Sequence, residues 1–268
     1  MMDAPPSRTS TPSPQMPDID FSNEQLSRYS RHILLPEIDL EGQRRISQAK
    51  VAIIGAGGLG SPAAMYLAAS GVGKLTIVDH DTVDLGNLQR QIAYKTSDIG
   101  HNKSRSTAAA LTQLNPEIRI EAVTNYATPE ILKELAGTHD ILIDACDNFE
   151  TRFAINSACH NQQTPLVSGA AIRFQGQVSV FPFDAATPCY RCLYEADSTE
   201  TQETCADRGI FAPLTGIVGS IQAAEALKLL TRAGTPLTSR LLTIDALTMS
   251  IRPIQVKKDP KCPVCGDR

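Results

Sequence analysis

Tryptophan is absent from this chain of 268 residues, and all aromatics together reach only 5%. Its apolar residues still make up 42%, so a core of domain size has to be aliphatic. No apolar run approaches the roughly 18 residues of a membrane span. The beginning of the chain lacks an apolar signal core. It reads PPSRTSTPSPQMPD, too rich in proline and serine to bury surface, and is expected to be a disordered tail over residues 1–20. A positive charge excess is missing too: the formal charge is −4 and the pI about 5.8, which argues against a general nucleic-acid binder. Without a signal peptide, the seven cysteines point to a reducing, cytoplasmic compartment. Residues 21–268 show neither repeat nor linker and read as one domain.

The elements alternate. Ser22 to Leu35 reads as a helix, with Leu26, Tyr29 and Ile33 on one face, Arg28, Arg31 and His32 on the other, and Pro36 as its stop. Val51–Ile54 is a strand that runs into Gly55-Ala-Gly57-Gly58-Leu-Gly60. A helix follows to about Ser70, with Pro62 in its first turn, where the missing N–H does no harm. Further strands are expected at Lys74–Val78, Ile118–Val123, Asp140–Asp144 and Pro165–Ser168. Helices between them fall near Lys103–Leu114, Pro129–Leu135 and Phe149–Asn161. Such a series implies a parallel sheet with helices on both faces. Beyond Gly169 the rhythm changes. Arg173–Phe181 reads as one strand, or two around Gly176. Pro213–Leu230 is a long apolar helix, mostly buried, with Gln222, Glu225, Lys228 and Arg232 as a polar stripe. Arg240–Ile244 and Ser250–Val256 add two strands, so the sheet is mixed.

Cys189-x-x-Cys192 and Cys262-x-x-Cys265 are knuckles that each place two thiolates on one ion. Together they complete the four-sulfur tetrahedron of structural zinc. A shared ion ties the end of the chain to a loop some seventy positions earlier, a closure that removes disorder. The competing readings are two disulfides or a redox Cys-x-x-Cys. Pro188, Pro263 and Gly266 supply the turns typical of zinc ribbons. Cys146 and Cys159 read as small buried hydrophobes.

The glycine loop lets backbone N–H groups approach phosphate at a helix start. Asp79 ends the second strand, where a carboxylate accepts bonds from ribose hydroxyls. Either a nicotinamide dehydrogenase or an ATP enzyme fits this far. The stretch from Asp79 to Gln91, with Lys103 after Gly100, separates them. A triphosphate about to be cleaved needs cations around it, and Arg90, Lys103 and Arg31 are candidates. A nicotinamide needs a flat apolar slot. Asp144 reads equally as a local or capping residue and as a catalytic one.

Arg28-Tyr-Ser-Arg31, Gly55-x-Gly-Gly-Leu-Gly60, Asn87-Leu-Gln-Arg-Gln91, Asp144-Ala-Cys-Asp-Asn148, Ser168-Gly-Ala-Ala-Ile-Arg173 and the two cysteine pairs resemble the MoeB/ThiF family, bacterial relatives of the ubiquitin-activating enzymes. The match spans about residues 26–266. The resemblance implies a Rossmann-like doubly wound α/β sheet, a parallel core with antiparallel additions, and a structural zinc. It implies a homodimer that uses ATP and Mg2+ to adenylate the C-terminal glycine of a small ubiquitin-like sulfur carrier. Such a carrier is MoaD-like, for molybdopterin synthesis, or ThiS-like, for thiamine. Carried over, Gly55, Gly57, Gly58 and Gly60 form the nucleotide loop and Asp79 holds the ribose. Asn87, Arg90 and Lys103 contact phosphates. Asp147 holds magnesium or orients the reacting phosphate, and Arg31 reaches into the neighbouring subunit's site. Cys205 stands where some relatives bind the carrier covalently and others have no use for a thiol. With no rhodanese-like domain after Gly266, sulfur is expected from a separate donor. Outside the family, a nicotinamide oxidoreductase and a carrier-binding pseudo-enzyme are the rivals.

Overall fold

The computed structural model describes residues 21–194 and 209–266. The expected tail over 1–20, the polar stretch 195–204, and Cys205, Asp207 and Arg208 lie outside them. Eight strands form one sheet in the order β3-β2-β1-β4-β5-β6-β7-β8. The strands are β1 (Lys50–Ile54), β2 (Lys74–Val78), β3 (Arg119–Val123), β4 (Ile141–Asp144), β5 (Leu166–Ile172), β6 (Gln175–Phe181), β7 (Arg240–Asp245) and β8 (Ser250–Gln255). Strands β1 to β5 pair in parallel, and β6 to β8 are added antiparallel. The helices are α1 (Asn23–Ile33), α2 (Asp39–Gln48), α3 (Gly60–Ala69), α4 (Lys103–Leu114), α5 (Pro129–Thr138), α6 (Phe149–Gln162) and α7 (Ala212–Thr231).

Strand alternation divides the core. Val51 and Ile53 face a cluster shared with Leu67, Leu111 and Val218, so α3, α4 and α7 cover that side. Ala52 and Ile54 face a second cluster with Leu132, Ile155 and Phe181, under α5 and α6. Strands buried on both faces must be apolar throughout, and β1 is, after its first residue. The largest fully buried side chains are Ile and Leu apart from Phe181, the aliphatic core that the missing tryptophan requires.

Register decides where a ligand fits. Ile54 aligns with Val78 on one side and with Asp144 on the other. The chain winds outward from β1 through β2 to β3, then returns to place β4 on the opposite flank of β1. Loops leaving β1 and β4 therefore part in opposite directions and open a crevice at the carboxyl edge, the usual ligand position in such sheets.

Several expectations need correction. Helix α2 was not anticipated. Its buried face holds only Gly42, Gln43 and Ile46, too few apolar positions to signal a helix, and it is fixed by tertiary bonds such as Arg45 Nη1 to the Thr231 carbonyl (3.0 Å). Leu26 does not share the burial of Tyr29 on α1; it is 38% exposed, whereas Tyr29 is 4%. Strand β5 does not stop before Gly169 but runs to Ile172. Glycine is required at 169 because a Cβ there would lie 2.5 Å from the Gln222 carboxamide carbon. Gly176 likewise sits within β6, against Leu214 and Val218 of α7, rather than dividing a strand. The polar stripe on α7 does not face solvent throughout. Gln222 and Glu225 are buried. The Gln222 amide donates to the Asp144 carbonyl (2.7 Å), and Glu225 accepts from the Leu237 N–H (2.8 Å).

Candidate functional site

The turn after β1 is wound so tightly that its glycines are required. Gly55 has φ +96°, and a Cβ on it would sit 2.7 Å from the Ala145 carbonyl oxygen. A Cβ on Gly60 would collide with the Gly55 carbonyl, so Gly60 acts by letting α3 start against its own loop. Asp79 braces this turn. Its carboxylate accepts from the Ala56 N–H (2.7 Å) and the Asp81 N–H (2.9 Å), and two backbone donors hold it at the end of β2. Asn102 links that strand end to α4: its amide donates to the carbonyls of Asp79 and Asp81 (both 3.1 Å), while its Oδ1 caps α4 at the Arg105 N–H (3.2 Å).

A cavity of about 450 Å³ occupies the crevice, walled by Gly55, Gly57 and Gly58, Asp79, Arg90, Lys103 and Asp147. Helices α3, α4 and α6 begin on its wall, at Gly58–Leu59, Lys103 and Asn148–Phe149 respectively, and the first turn of α7 reaches it with Thr215. Their free N–H groups and dipoles make it positive. Lys103, the first residue of α4, is 7% exposed with Nζ 2.9 Å from Asp81 Oδ2. Arg90 is held by its Nη1 donating to the Gly86 carbonyl (3.0 Å). Asp147 is exposed, and among the described residues nothing bonds its carboxylate.

Other residues do not join this group within one chain. Asn87 is off the wall; its Oδ1 accepts from the Asp84 N–H (3.2 Å) and closes the short turn Leu85–Asn87. Arg31 lies exposed on α1, away from the cavity. Asp144 is buried at 1% exposure and fully used locally: Ser168 Oγ donates to it at 2.6 Å and Cys146 Sγ at 2.8 Å. It does not cap α6, a role taken by Asn148, whose Oδ1 accepts from the Thr151 N–H (2.8 Å). Cys146 is not the simple hydrophobe expected. It reaches the cavity wall, and burial, reinforced by Asp144, raises its pKa well above the usual thiol value, which keeps it a protonated donor. Cys159 is buried in the core as expected.

Sequence reasoning missed Arg152. It is 7% exposed, lines the cavity, donates Nη2 to the Cys146 carbonyl (2.6 Å), and has Nε 4.0 Å from Asp144. Burial opposes its charge most strongly, but Asp144, Cys146 and Tyr190 together outweigh that effect and raise the pKa. Its position one turn into a helix that starts beside Asp147 was the available signal.

The four paired cysteines converge beside the middle of α6, where Asn156 meets the first knuckle. All their sulfurs lie within 4.8 Å of one another, with Cys189–Cys262 at 3.6 Å and Cys192–Cys265 at 3.4 Å. A disulfide needs about 2.05 Å, and all four are free thiols. Zinc–sulfur bonds of about 2.3 Å set the edges of a tetrahedron near 3.8 Å, so the donor set fits zinc. Asn156 of α6 supports the first knuckle, accepting from the Tyr190 N–H (2.9 Å) and donating to Cys189 Sγ (3.8 Å). The Asp259 N–H points at Cys192 Sγ (3.5 Å). Such donors suit thiolate ligands.

A family model described as the ThiF family matches residues 29–264. The SAMP-activating enzyme E1 of Haloferax volcanii is 44% identical over 91% of this chain and 90% of its own. The sulfur carrier protein adenylyltransferase of Thermus thermophilus is 43% identical over 92% and 93%. The molybdopterin-synthase adenylyltransferase of Escherichia coli K12 is 41% identical over 92% and 99%. Among solved structures, E. coli MccB bound to MccA-N7isoASN superposes with a TM-score of 0.80, covering 91% of this chain and 76% of that one at 24% identity. That likeness concerns the fold.

Proposed function

Because the chain belongs to the ThiF family, we propose that it adenylates the C-terminal glycine carboxylate of a small ubiquitin-like sulfur carrier with ATP and releases pyrophosphate. We favour a MoaD-like carrier and a role in molybdopterin synthesis, in line with the name of the E. coli relative; a ThiS-like carrier is the alternative. The observation that carries the activity is the meeting of the glycine loop, Lys103, Arg90 and the unbonded Asp147 carboxylate in one cavity at the β1/β4 crevice.

The chemistry suits these residues. The carrier's terminal carboxylate is already ionised, so it attacks the α-phosphorus without a general base, and pyrophosphate carries the electron pair away. Catalysis then rests on alignment and on neutralising charge. Asp79 receives the ribose. The glycine loop and the helix starts receive the phosphates, with Arg90 and Lys103 balancing their charge. Arg152, already cationic beside Cys146, adds a positive wall. Asp147 is the free carboxylate suited to hold Mg2+, which when bound offsets phosphate charge, or to orient the reacting phosphate. The cysteine cluster holds a structural zinc and takes no part in the transfer. Sulfur comes from a separate donor. No described helix is long and apolar enough to cross a membrane, and the proposed site of action is the cytoplasm.

ATP–pyrophosphate exchange tests the reading. Exchange should appear only when a carrier ending in glycine is added. Carrier binding without exchange would identify a pseudo-enzyme, and binding of a nicotinamide nucleotide in preference to ATP would identify an oxidoreductase.

Arg31 is proposed to act in the site of a second subunit, as its exposed place on α1 permits. Arg31→Ala and Asp147→Ala proteins should each lose exchange, and mixing them should restore part of it. In the mixed dimer one site joins an intact Arg31 to an intact Asp147. If subunit exchange is verified and no activity returns, Arg31 does not act across a dimer.

A further inference from the structure

We propose that Gln91 is a nucleotide-binding residue, its side-chain amide donating an N–H to a phosphate oxygen above the glycine loop. The proposal rests on the reading of the cavity as an ATP site. Gln91 closes the stretch that begins at Asn87. Its backbone is pinned on both sides, its N–H donating to the Asn87 carbonyl (2.9 Å) and its carbonyl accepting from the Tyr94 N–H (3.2 Å). The side chain is only 4% exposed, yet it lines the cavity. A Cβ built on Gly57 would lie 3.7 Å from its Nε2, so the amide rests over the middle of the glycine loop.

No donor among the described residues reaches its Oε1, which is shut away from solvent, and no described residue accepts from its Nε2. A buried carboxamide without partners costs free energy that Met or Leu of similar volume would not. The neighbourhood is rich in donors and cations: glycine-loop N–H groups, Arg90 and Lys103. Of the wall's carboxylates, Asp79 and Asp81 are engaged by other donors, and no acceptor among the described residues reaches the Gln91 Nε2. An anionic phosphate oxygen supplies one, and the amide adds to that donor set without adding charge.

Titration calorimetry with ATP and, separately, with adenosine tests the assignment on the full chain. Gln91→Met keeps the volume and removes the donor, and should weaken ATP binding about tenfold. Gln91→Glu keeps the shape and an acceptor but sets a carboxylate against the phosphates, and should weaken it about a hundredfold. Both variants should bind adenosine within about twofold of the unmodified chain, since adenosine has no phosphate. The proposal is overturned if Gln91→Glu binds ATP as well as Gln91→Met does, because then the acceptor was what mattered. It is also overturned if Gln91→Met matches the unmodified chain, or if adenosine binding falls in step with ATP binding, the mark of a structural role. Should Gln91→Met fail to fold, Gln91→Asn replaces it with the same expectation, because the shortened amide no longer reaches. An unmodified chain that binds no ATP would instead remove the ATP reading itself.

Discussion

Asp147→Ala is expected to lower carrier-dependent ATP–pyrophosphate exchange by about a thousandfold or more while leaving the fold intact. Asp147 sits on the loop between β4 and α6, exposed, with no partner among the described residues. Removing such a side chain typically changes stability by less than about 0.5 kcal/mol. Its loss should thus be felt only in the reaction, where no other wall carboxylate is free to replace it. Asp79 is held by two backbone N–H groups, and Asp81 is paired with Lys103. Exchange assays and thermal unfolding of the same preparations decide the matter, and a folded variant with near-normal exchange refutes the role.

Asp144→Ala provides the contrast. Its carboxylate accepts from Ser168 and Cys146 and faces Arg152, all of them buried or partly so. Deleting it leaves a guanidinium without its counter-charge, a lesion on the order of 3–5 kcal/mol in buried pairs. The two aspartates, three positions apart, should separate cleanly: one variant inactive and stable, the other unstable.

Much of this architecture can be read from punctuation in the sequence. Strand β2 is bracketed by Gly71-Val-Gly73 before it and Asp79 after it, and the bounds expected for β2 and α4 match those observed. Glycines at Gly55 to Gly60 could only mean a tight strand–helix turn. The spacing of the four knuckle cysteines points to the cluster that the structure brings together. What escaped notice depends on partners distant in the chain. Helix α2 is secured by α7 through Arg45 and Thr231, and the stretch of β5 past Gly169 is held by pairing with β6, Ala170 with Gln177 and Ile172 with Gln175. Within the site, Asp79, Arg90, Lys103 and Asp147 do line the cavity. Asn87 does not, because its side chain is used to close its own turn. Gln91 and Arg152 were passed over because polar side chains usually lie in solvent, and only tertiary structure reveals that these two are buried against a cavity.

Loss of the metal is expected to have the other large effect. The purified chain should carry about one zinc, and Cys262→Ser combined with Cys265→Ser should abolish it and lower the melting temperature strongly. The sulfurs are already grouped at 3.4–3.6 Å across the pairs. Without an ion, like-charged thiolates at that separation repel, and neutral thiols leave the knuckles held by few bonds. Structural zinc binds with about 10–16 kcal/mol in zinc-finger peptides, and the part that restrains a loop of some seventy residues belongs to folding. The damage should not stay local. Cys189, Tyr190 and Cys262 are packed in the same core cluster as Ile155, Leu166 and Phe181, and Asn156 ties the first knuckle to α6. The first turn of that helix carries Asn148 and Arg152 on the cavity wall. Chelation should therefore loosen the nucleotide site together with the knuckles, in one unfolding transition rather than two. Metal analysis under reducing conditions and calorimetric melting with and without chelator measure this. A metal-free chain with an unchanged melting temperature, or zinc retained by the double serine variant, would show that the cysteine cluster is not what closes the fold.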